Sequence, residues 1–201
     1  NPGSNAYGYD LAGNRTAVNG QPYTFDNANK YTSIPGNVFE YDADGNLTSL
    51  GLASDPDTYS WDALSQMTSY NVGAGSLSSY AFTYDGLGRR VKTAGVEVPV
   101  GLHIFDGDLL IGEVNEGGGV SMAYTWGASG LVSQRNFTTG QSSWYHFGPQ
   151  GETRQLTNGT GAVVATYMYN AYGVPVAQTG GIPYNPFRYG GQFGYYSLSH
   201  G

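Results

Sequence analysis

The residues able to do chemistry are few and regularly placed. A carboxylate stands directly after an aromatic at Asp10, Asp26, Asp42, Asp62, Asp85 and Asp106. Asp42-x-Asp44-Gly45-Asn46 opens like a calcium loop, but the acidic ligand needed twelve positions into such a loop falls on Ala53. The repeated Asp therefore reads as a turn cap, with calcium at the turns as the lesser alternative. His103, His146 and His200 have no ligand spacing to one another, and His103 takes an aromatic slot that suits a packed core histidine. There is no G-x-S-x-G elbow, and Gly117-Gly118-Gly119 lies between strands rather than before a helix, so it reads as a hairpin turn and not a phosphate loop. The absence of Cys removes disulfides, thiolate zinc sites and cysteine nucleophiles. Four Asn-x-Thr triplets, at Asn14, Asn46, Asn136 and Asn158, match the glycosylation acceptor, but the first two are simply part of a repeat. The expectation is a protein with no enzymatic activity, no catalytic residues, no cofactor and no metal.

Whatever positions these groups is not helical. The chain has 201 residues with 32 Gly and 18 Tyr, and only 11% of residues are charged. Gly costs about 1 kcal/mol at each helix interior position, which disfavours a bundle. Its spacing lacks the strict period of three of collagen. High aromatic content with low charge is the reverse of a disordered composition. The net charge of −7 and a pI near 4.6 argue against nucleic acid or an anionic membrane as partner. No apolar run approaches the roughly 20 residues of a membrane span. Asn1-Pro2-Gly3-Ser4 shows neither an initiator Met nor a signal-peptide pattern, as expected of a processed or excised segment.

An aromatic-x-aromatic pair recurs through the chain: Tyr7/Tyr9, Tyr23/Phe25, Phe39/Tyr41, Tyr59/Trp61, Phe82/Tyr84, His103/Phe105, Tyr124/Trp126, Tyr145/Phe147, Tyr167/Tyr169 and Phe187/Tyr189. Residues at i and i+2 share one face of a strand, so each repeat predicts a strand with an aromatic face. Asp at the next position with Gly three further on, as in Asp10/Gly13, Asp42/Gly45 and Asp85/Gly88, is the preference of a type I turn. Asp62 and Asp106 begin less regular copies, with Gly107 directly after the second. Gly148-Pro149-Gln150-Gly151 and Asn170-Ala171-Tyr172-Gly173 keep the turn with other residues. Second turns are expected at Asn19-Gly20, Pro35-Gly36-Asn37, Gly117-Gly118-Gly119, Thr139-Gly140, Asn158-Gly159 and Gly180-Gly181. The predicted fold is all-β: about ten antiparallel β-hairpins in a single array over 1–201, forming a long curved or spiralled sheet. At about 4.8 Å per strand it would extend on the order of 95 Å, with an aromatic face that must be covered. The end strands are exposed edges, open to pairing with another chain.

Tyr9-Asp10-Leu11-Ala12-Gly13-Asn14-Arg15-Thr16 resembles the YD repeat of the Rhs (rearrangement hot spot) family, as do Tyr41-Asp42-Ala43-Asp44-Gly45-Asn46-Leu47-Thr48 and Tyr84-Asp85-Gly86-Leu87-Gly88-Arg89-Arg90-Val91. Phe25-Asp26 and Trp61-Asp62 begin degenerate copies. Residues 1–100 thus look like YD repeats. Residues 101–201 resemble the Rhs-associated core, carried by His103-Ile104-Phe105-Asp106-Gly107-Asp108-Leu109-Leu110, Tyr145-His146-Phe147-Gly148-Pro149-Gln150-Gly151 and Asn185-Pro186-Phe187-Arg188-Tyr189-Gly190-Gly191-Gln192. The resemblance implies a structural role, with the repeat positions Tyr9, Tyr41, Trp61, Tyr84, Phe105, Trp126, Phe147, Tyr169, Phe187 and Tyr189 as its framework. Family members build hollow β-shells, around a toxin in bacterial Rhs and toxin-complex proteins and for adhesion in the related teneurins. The sequence stops at Ser197-Leu198-Ser199-His200-Gly201, before the self-cleaving Asp-Pro motif of toxin-bearing members, and Asp55-Pro56 is not at that position, so cleavage is not carried over. The expected protein is a secreted or cell-surface bacterial segment of a longer chain. It would form part of a toxin-enclosing shell, or self-assemble into an extracellular β-structure such as a fibre. Its partners would be copies of itself or the rest of a larger Rhs-like chain, and a toxin cargo. The alternative is an adhesion or carbohydrate-binding module that meets cell-surface glycans.

Overall fold

The computed structural model describes residues 5–73, 76, 78–96, 101–181 and 184–197. Asn1–Ser4 and His200 lie outside the described residues. The chain forms two compact units, Asn1–Pro99 and Val100–Gly201. In the first, β1 (Tyr7–Tyr9), β2 (Arg15–Val18) and β3 (Gln21–Pro22) make a three-stranded sheet. They are followed by β4 (Thr24–Phe25), β5 (Tyr31–Ile34), β6 (Asn37–Tyr41), β7 (Leu47–Gly51), β8 (Asp57–Trp61), β9 (Met67–Asn71), β10 (Ser79–Tyr84) and β11 (Arg90–Val96), each paired antiparallel to the next. The second unit runs through β12 (Gly101–Asp106), β13 (Leu109–Asn115), β14 (Val120–Gly127), β15 (Gly130–Asn136), β16 (Gln141–Phe147), β17 (Thr153–Thr157), β18 (Val163–Tyr169) and β19 (Pro175–Gly180) in the same way. The all-β hairpin reading holds in both units. Nine of the ten aromatic pairs belong to hairpins. The tenth, Phe187/Tyr189, lies in an irregular segment, residues 184–197, whose only regular element is a 3-10 turn at Gly191–Phe193.

The turns show why Asp follows the aromatic. Asp85 Oδ1 accepts the backbone N–H of Leu87 at 2.9 Å and of Arg89 at 3.0 Å, while Oδ2 accepts the Arg89 guanidinium. Asp10, Asp26, Asp42 and Asp62 make the same two backbone contacts. The third residue after the cap adopts positive φ, as at Gly88 (81°), and Asn29 and Ser65 tolerate that region at 61° and 58°. The second unit keeps the geometry and changes the cap. Asn158 and Asn170 accept the equivalent N–H groups. At Gly148 there is no side chain, and Glu152 reaches back instead: its Oε2 accepts Gln150 N–H at 2.9 Å, and any Cβ on Gly148 would collide with its carboxylate. Gly117-Gly118-Gly119 and Asn158-Gly159, expected as short second turns, are this same capped turn, built on Asn115 and Asn158. Asp106 does not cap. It ends β12 and pairs with Leu109 across the two-residue turn Gly107-Asp108.

Each hairpin also steps over one residue just past its turn. The pairs Gly8↔Ala17 and Tyr9↔Arg15 leave Thr16 outside the register. The same step leaves out Thr32, Thr48, Thr68 and Val91, then Ile111, Val132, Arg154 and Val176. A β-bulge at one fixed place in all nine hairpins adds local right-handed twist at every repeat. Beside the bulge the ladder between consecutive hairpins stops early, and an aromatic side chain takes over. Trp61 donates its indole N–H to the Leu47 carbonyl at 2.6 Å, Tyr84 its hydroxyl to Met67 at 2.9 Å, and Tyr41 to Tyr31 at 2.9 Å. Trp126 repeats the bond to Leu110 at 2.8 Å. In these four repeats the second aromatic of the pair thus stitches its hairpin to the previous one. Its partner two residues earlier packs along the row: Tyr59, Tyr70 and Tyr80 stack at 5.0 and 5.5 Å.

Hydrogen bonds to the cap hold its carboxyl below the ordinary range, led by Asn14 at Asp10, Asn46 at Asp42 and Arg89 at Asp85. A depressed folded-state value contributes stability that is present above the unfolded carboxylate value and lost as pH falls below it. Asp85→Ala is expected to lower the Tm by a few degrees at neutral pH and by less near pH 3, while Asp85→Asn keeps most of it because Asn caps the same turn elsewhere. Thermal melts followed by circular dichroism check this; an Asp85→Ala Tm equal to wild type at neutral pH contradicts it.

Candidate functional site

The second unit has one face that is closed and buried. Strand alternation brings Met122 and Tyr124 of β14, Leu131 of β15, Tyr145 of β16, Leu156 of β17, and Ala165 and Tyr167 of β18 to that face, with Leu110 of β13. The repeat residues Phe105, Trp126, Phe147 and Tyr169 pack at its margin. Residues 184–197 cross it as a strap. Phe187 is fully buried, edge-on to Tyr124, Trp126 and Tyr196 at 4.9, 5.7 and 5.8 Å. Such pairs add about 0.5–1.5 kcal/mol each beyond burial.

Polar side chains of the face bind the strap backbone. Thr153 donates its hydroxyl to Phe187 O at 2.6 Å and its N–H to Arg188 O at 2.9 Å. Gln134 donates to Tyr184 O at 2.6 Å, and Tyr145 donates to Gln134 and Asn185 side-chain oxygens at 2.6 and 3.0 Å. Arg188 lies over the Tyr167 ring and donates to Gln178. At the turn edge Gln192 donates to Gly151 O and Ser129 O. A side chain on Gly151, already at φ 75°, would strike the Phe193 ring, so this turn needs glycine twice over. Phe187 and Tyr189, expected in a tenth hairpin, therefore form the cover instead.

Both ends of the strap meet one carboxylate. Tyr124 donates to Glu113 Oε1 at 2.6 Å, the Tyr184 hydroxyl lies 3.3–3.4 Å from both oxygens, and Tyr196 lies 3.3 Å from Oε1. Glu113, Gln134, Thr153 and Asn185 are the residues that sequence reasoning missed. A charged residue inside a strand, in a chain with so few charges, was the available signal for Glu113. In the first unit no comparable strap is seen among the described residues. Cations lie over the rings there: Arg15 over Tyr23, Lys30 over Tyr41 and Arg90 over Phe82. Tyr9, at the start, is 54% exposed. No group of three or more His, Asp or Glu among the described residues could hold a metal. No helix among them is long and apolar enough to cross a membrane.

Burial raises the Tyr124, Tyr145 and Tyr184 phenols well above the ordinary value, helped by the Glu113 charge, and pushes Tyr169 up to about 12. Raised folded-state values contribute stability that is complete below the unfolded phenol value near 10 and lost as pH rises through the folded values. In an alkaline titration, a fraction of the 18 tyrosines should therefore ionise only as the β circular dichroism of the chain collapses. Ionisation of all of them near the ordinary value, with the β signal intact, contradicts the buried geometry. Phe187→Ala is expected to cost about 3–5 kcal/mol, read from denaturant unfolding of the second unit.

Comparison with known proteins agrees with this architecture. Residues 2–97 match the Teneurin YD-shell family. Over 197 residues, 92% of the chain, it is 31% identical to the tRNA nuclease WapA of Bacillus subtilis strain 168. It is 30% identical over 198 residues to the tRNA3(Ser)-specific nuclease WapA of Bacillus spizizenii. The chain spans about 8% of the length of these relatives. The crystal structure of TcdB2-TccC3-Cdc42 superposes on 93% of this chain and 11% of its own, with a TM-score of 0.51 and 14% identity, a likeness of fold. The expectation of a protein without enzymatic activity is overturned by relatives named as tRNA nucleases. Those relatives are more than ten times longer than this chain, so the residue types within it do not speak for their whole length. The relatives' names weigh against the exclusion of nucleic acid without overturning it. Over residues 2–97 the chain is thus similar to the Teneurin YD-shell family, and the same bulged hairpins continue through the second unit.

Proposed function

We propose that this chain is a wall segment of a larger, secreted or cell-surface bacterial polypeptide that encloses a toxic tRNA-cleaving activity. One observation carries the reading: the identity to nucleases runs through 92% of this chain yet takes in about 8% of theirs. The repeat therefore corresponds to a limited stretch of a long protein. Its construction suits a wall. Every hairpin carries the bulge, most of their turns are capped, and four are stitched to the preceding hairpin by an aromatic side chain, so strands add with little change of geometry. The net charge of −7 does not attract RNA, so contact with tRNA falls to residues beyond this segment.

The test is made on the full natural polypeptide that contains these residues. Incubated with bulk tRNA while intact, it is expected to cleave little. After limited proteolysis or mild denaturation that opens the shell, cleavage should rise by one to several orders of magnitude. A natural product ending at 201 residues, or a long product that leaves tRNA intact in both conditions, overturns the proposal. Equal cleavage before and after opening would retain the nuclease and remove the enclosure.

A further inference from the structure

Three tyrosines of the first unit stand opposite one another on consecutive strands. Tyr59 of β8 pairs with Tyr70 of β9, and Tyr70 with Tyr80 of β10. Their rings lie almost parallel, at 3° and 12°, with centroids 5.0 and 5.5 Å apart. Tyr23–Tyr31 and Tyr169–Tyr189 meet edge-on instead, at 79° and 61°. Beyond Tyr80 the row ends on Phe82, a ring with no hydroxyl, which carries Arg90 over its face. All three tyrosines are half-buried, so solvent still reaches them. One carboxylate serves the stack. Tyr70 donates its hydroxyl to Asp57 Oδ2 at 3.0 Å, and Asp57 Oδ1 accepts the Gly73 N–H at 2.7 Å. A Cβ on Gly73 would run into the Asp55 and Pro56 backbone, so glycine is what lets that N–H come so close. Burial, with the Asp57 carboxylate, raises the Tyr59 and Tyr70 phenols above the ordinary value. Both stay protonated at neutral pH, so neither loses an electron readily unless its proton leaves as well.

We propose that Tyr59, Tyr70 and Tyr80 form an oxidative cross-linking site, where a one-electron oxidant such as a haem peroxidase with hydrogen peroxide joins neighbouring rings and Asp57 takes the Tyr70 proton. Each phenol of a pair gives up one electron and its hydroxyl proton, and the Tyr70 proton passes along its existing hydrogen bond to Asp57. The unpaired electron of a phenoxyl radical occupies a π orbital normal to the ring, with weight on the carbons ortho to the oxygen. Face-to-face rings aim those lobes at each other, and edge-on rings do not. Two radicals couple through one bond between ortho carbons. Each ring then moves the hydrogen on that carbon to its oxygen, which restores the aromatic phenol. The pair loses two electrons and two protons in all, and these reduce one hydrogen peroxide to two waters. The product ties β8 to β9, or β9 to β10. This chain has no Cys, so such a link would restrict the unfolded chain where no disulfide can. The inference goes beyond the wall reading and does not depend on it.

The whole chain tests this, kept dilute to suppress links between molecules. It is photo-oxidised with ruthenium tris-bipyridine and persulfate, digested with pepsin and read by tandem mass spectrometry. Linked peptides two hydrogens lighter than their sum are expected to join Tyr59 to Tyr70, or Tyr70 to Tyr80. Their yield should exceed that of Tyr23–Tyr31 and Tyr169–Tyr189 roughly tenfold or more, because only the stacked pairs are held in a reactive orientation. Unfolding in urea should erase that preference. Tyr70→Phe keeps the ring and should abolish both links. Asp57→Asn keeps the shape and should slow linking roughly tenfold or more, since water must then take the proton. If either variant loses the β circular dichroism, the wild-type yields, folded against unfolded, decide alone. Equal yields at the edge-on pairs, oxygen addition at Trp61 or Met67 in place of a link, or an unchanged rate in folded Asp57→Asn overturns the proposal.

Discussion

A sheet of aromatic-faced hairpins cannot leave that face to water, and most of the second unit follows from this. Tyr124, Tyr145 and Tyr167 bring rings and hydroxyls to the same side, so a cover must supply both apolar contact and hydrogen-bond partners. The strap does so with one phenylalanine plug and a short run of exposed backbone carbonyls. Phe187 fills the space between rings, while Thr153 and Gln134 satisfy the strap carbonyls that an irregular segment would otherwise bury unpaired. Because the cover is irregular, it can be complementary at each point without keeping a strand register.

The turn edge works by a second economy of means, in which one shape is reached with different residues. A carboxylate or amide oxygen must accept two N–H groups inside the turn. Asp supplies it in the first unit and Asn in the second, and at Gly148 the carboxylate arrives from the far side on Glu152. The low charge of the chain fits this. Several of its cations lie over rings (Arg15, Lys30, Arg90, Arg188), and its repeated acids are consumed in caps. Few charges are left for purely solvated faces.

The hairpin count, the capped turns and the aromatic spacing were legible because each rests on local chemistry at fixed spacing: Tyr-x-Tyr-Asp fixes a face and a turn within four residues. The bulge was written in the same motif, as the Thr or Val six positions after the Asp in the first five repeats, but one extra residue leaves no mark on an i, i+2 pattern read from one strand. The stitching bonds from Trp61 and Tyr84 were hidden for a related reason, since an aromatic that packs and one that donates to a carbonyl look alike in sequence. Phe187/Tyr189 mimicked a repeat by spacing alone, and the lack of Asp after the pair did not set it apart, since Gly127, Gly148 and Asn170 follow true hairpin pairs. Glu113 and its tyrosines meet across 71 and 83 residues, contacts that no local pattern encodes.

The central claim is that residues 184–197 are the structural cover of the second unit and not a loose tail. The direct measurement is binding of an apolar dye such as anilinonaphthalene sulfonate to the chain ending at Gly181, alongside the intact chain. The account predicts strong new dye fluorescence and loss of slow-exchanging amides in β14–β18 once the strap is gone. Unchanged dye binding with full amide protection in those strands would contradict it.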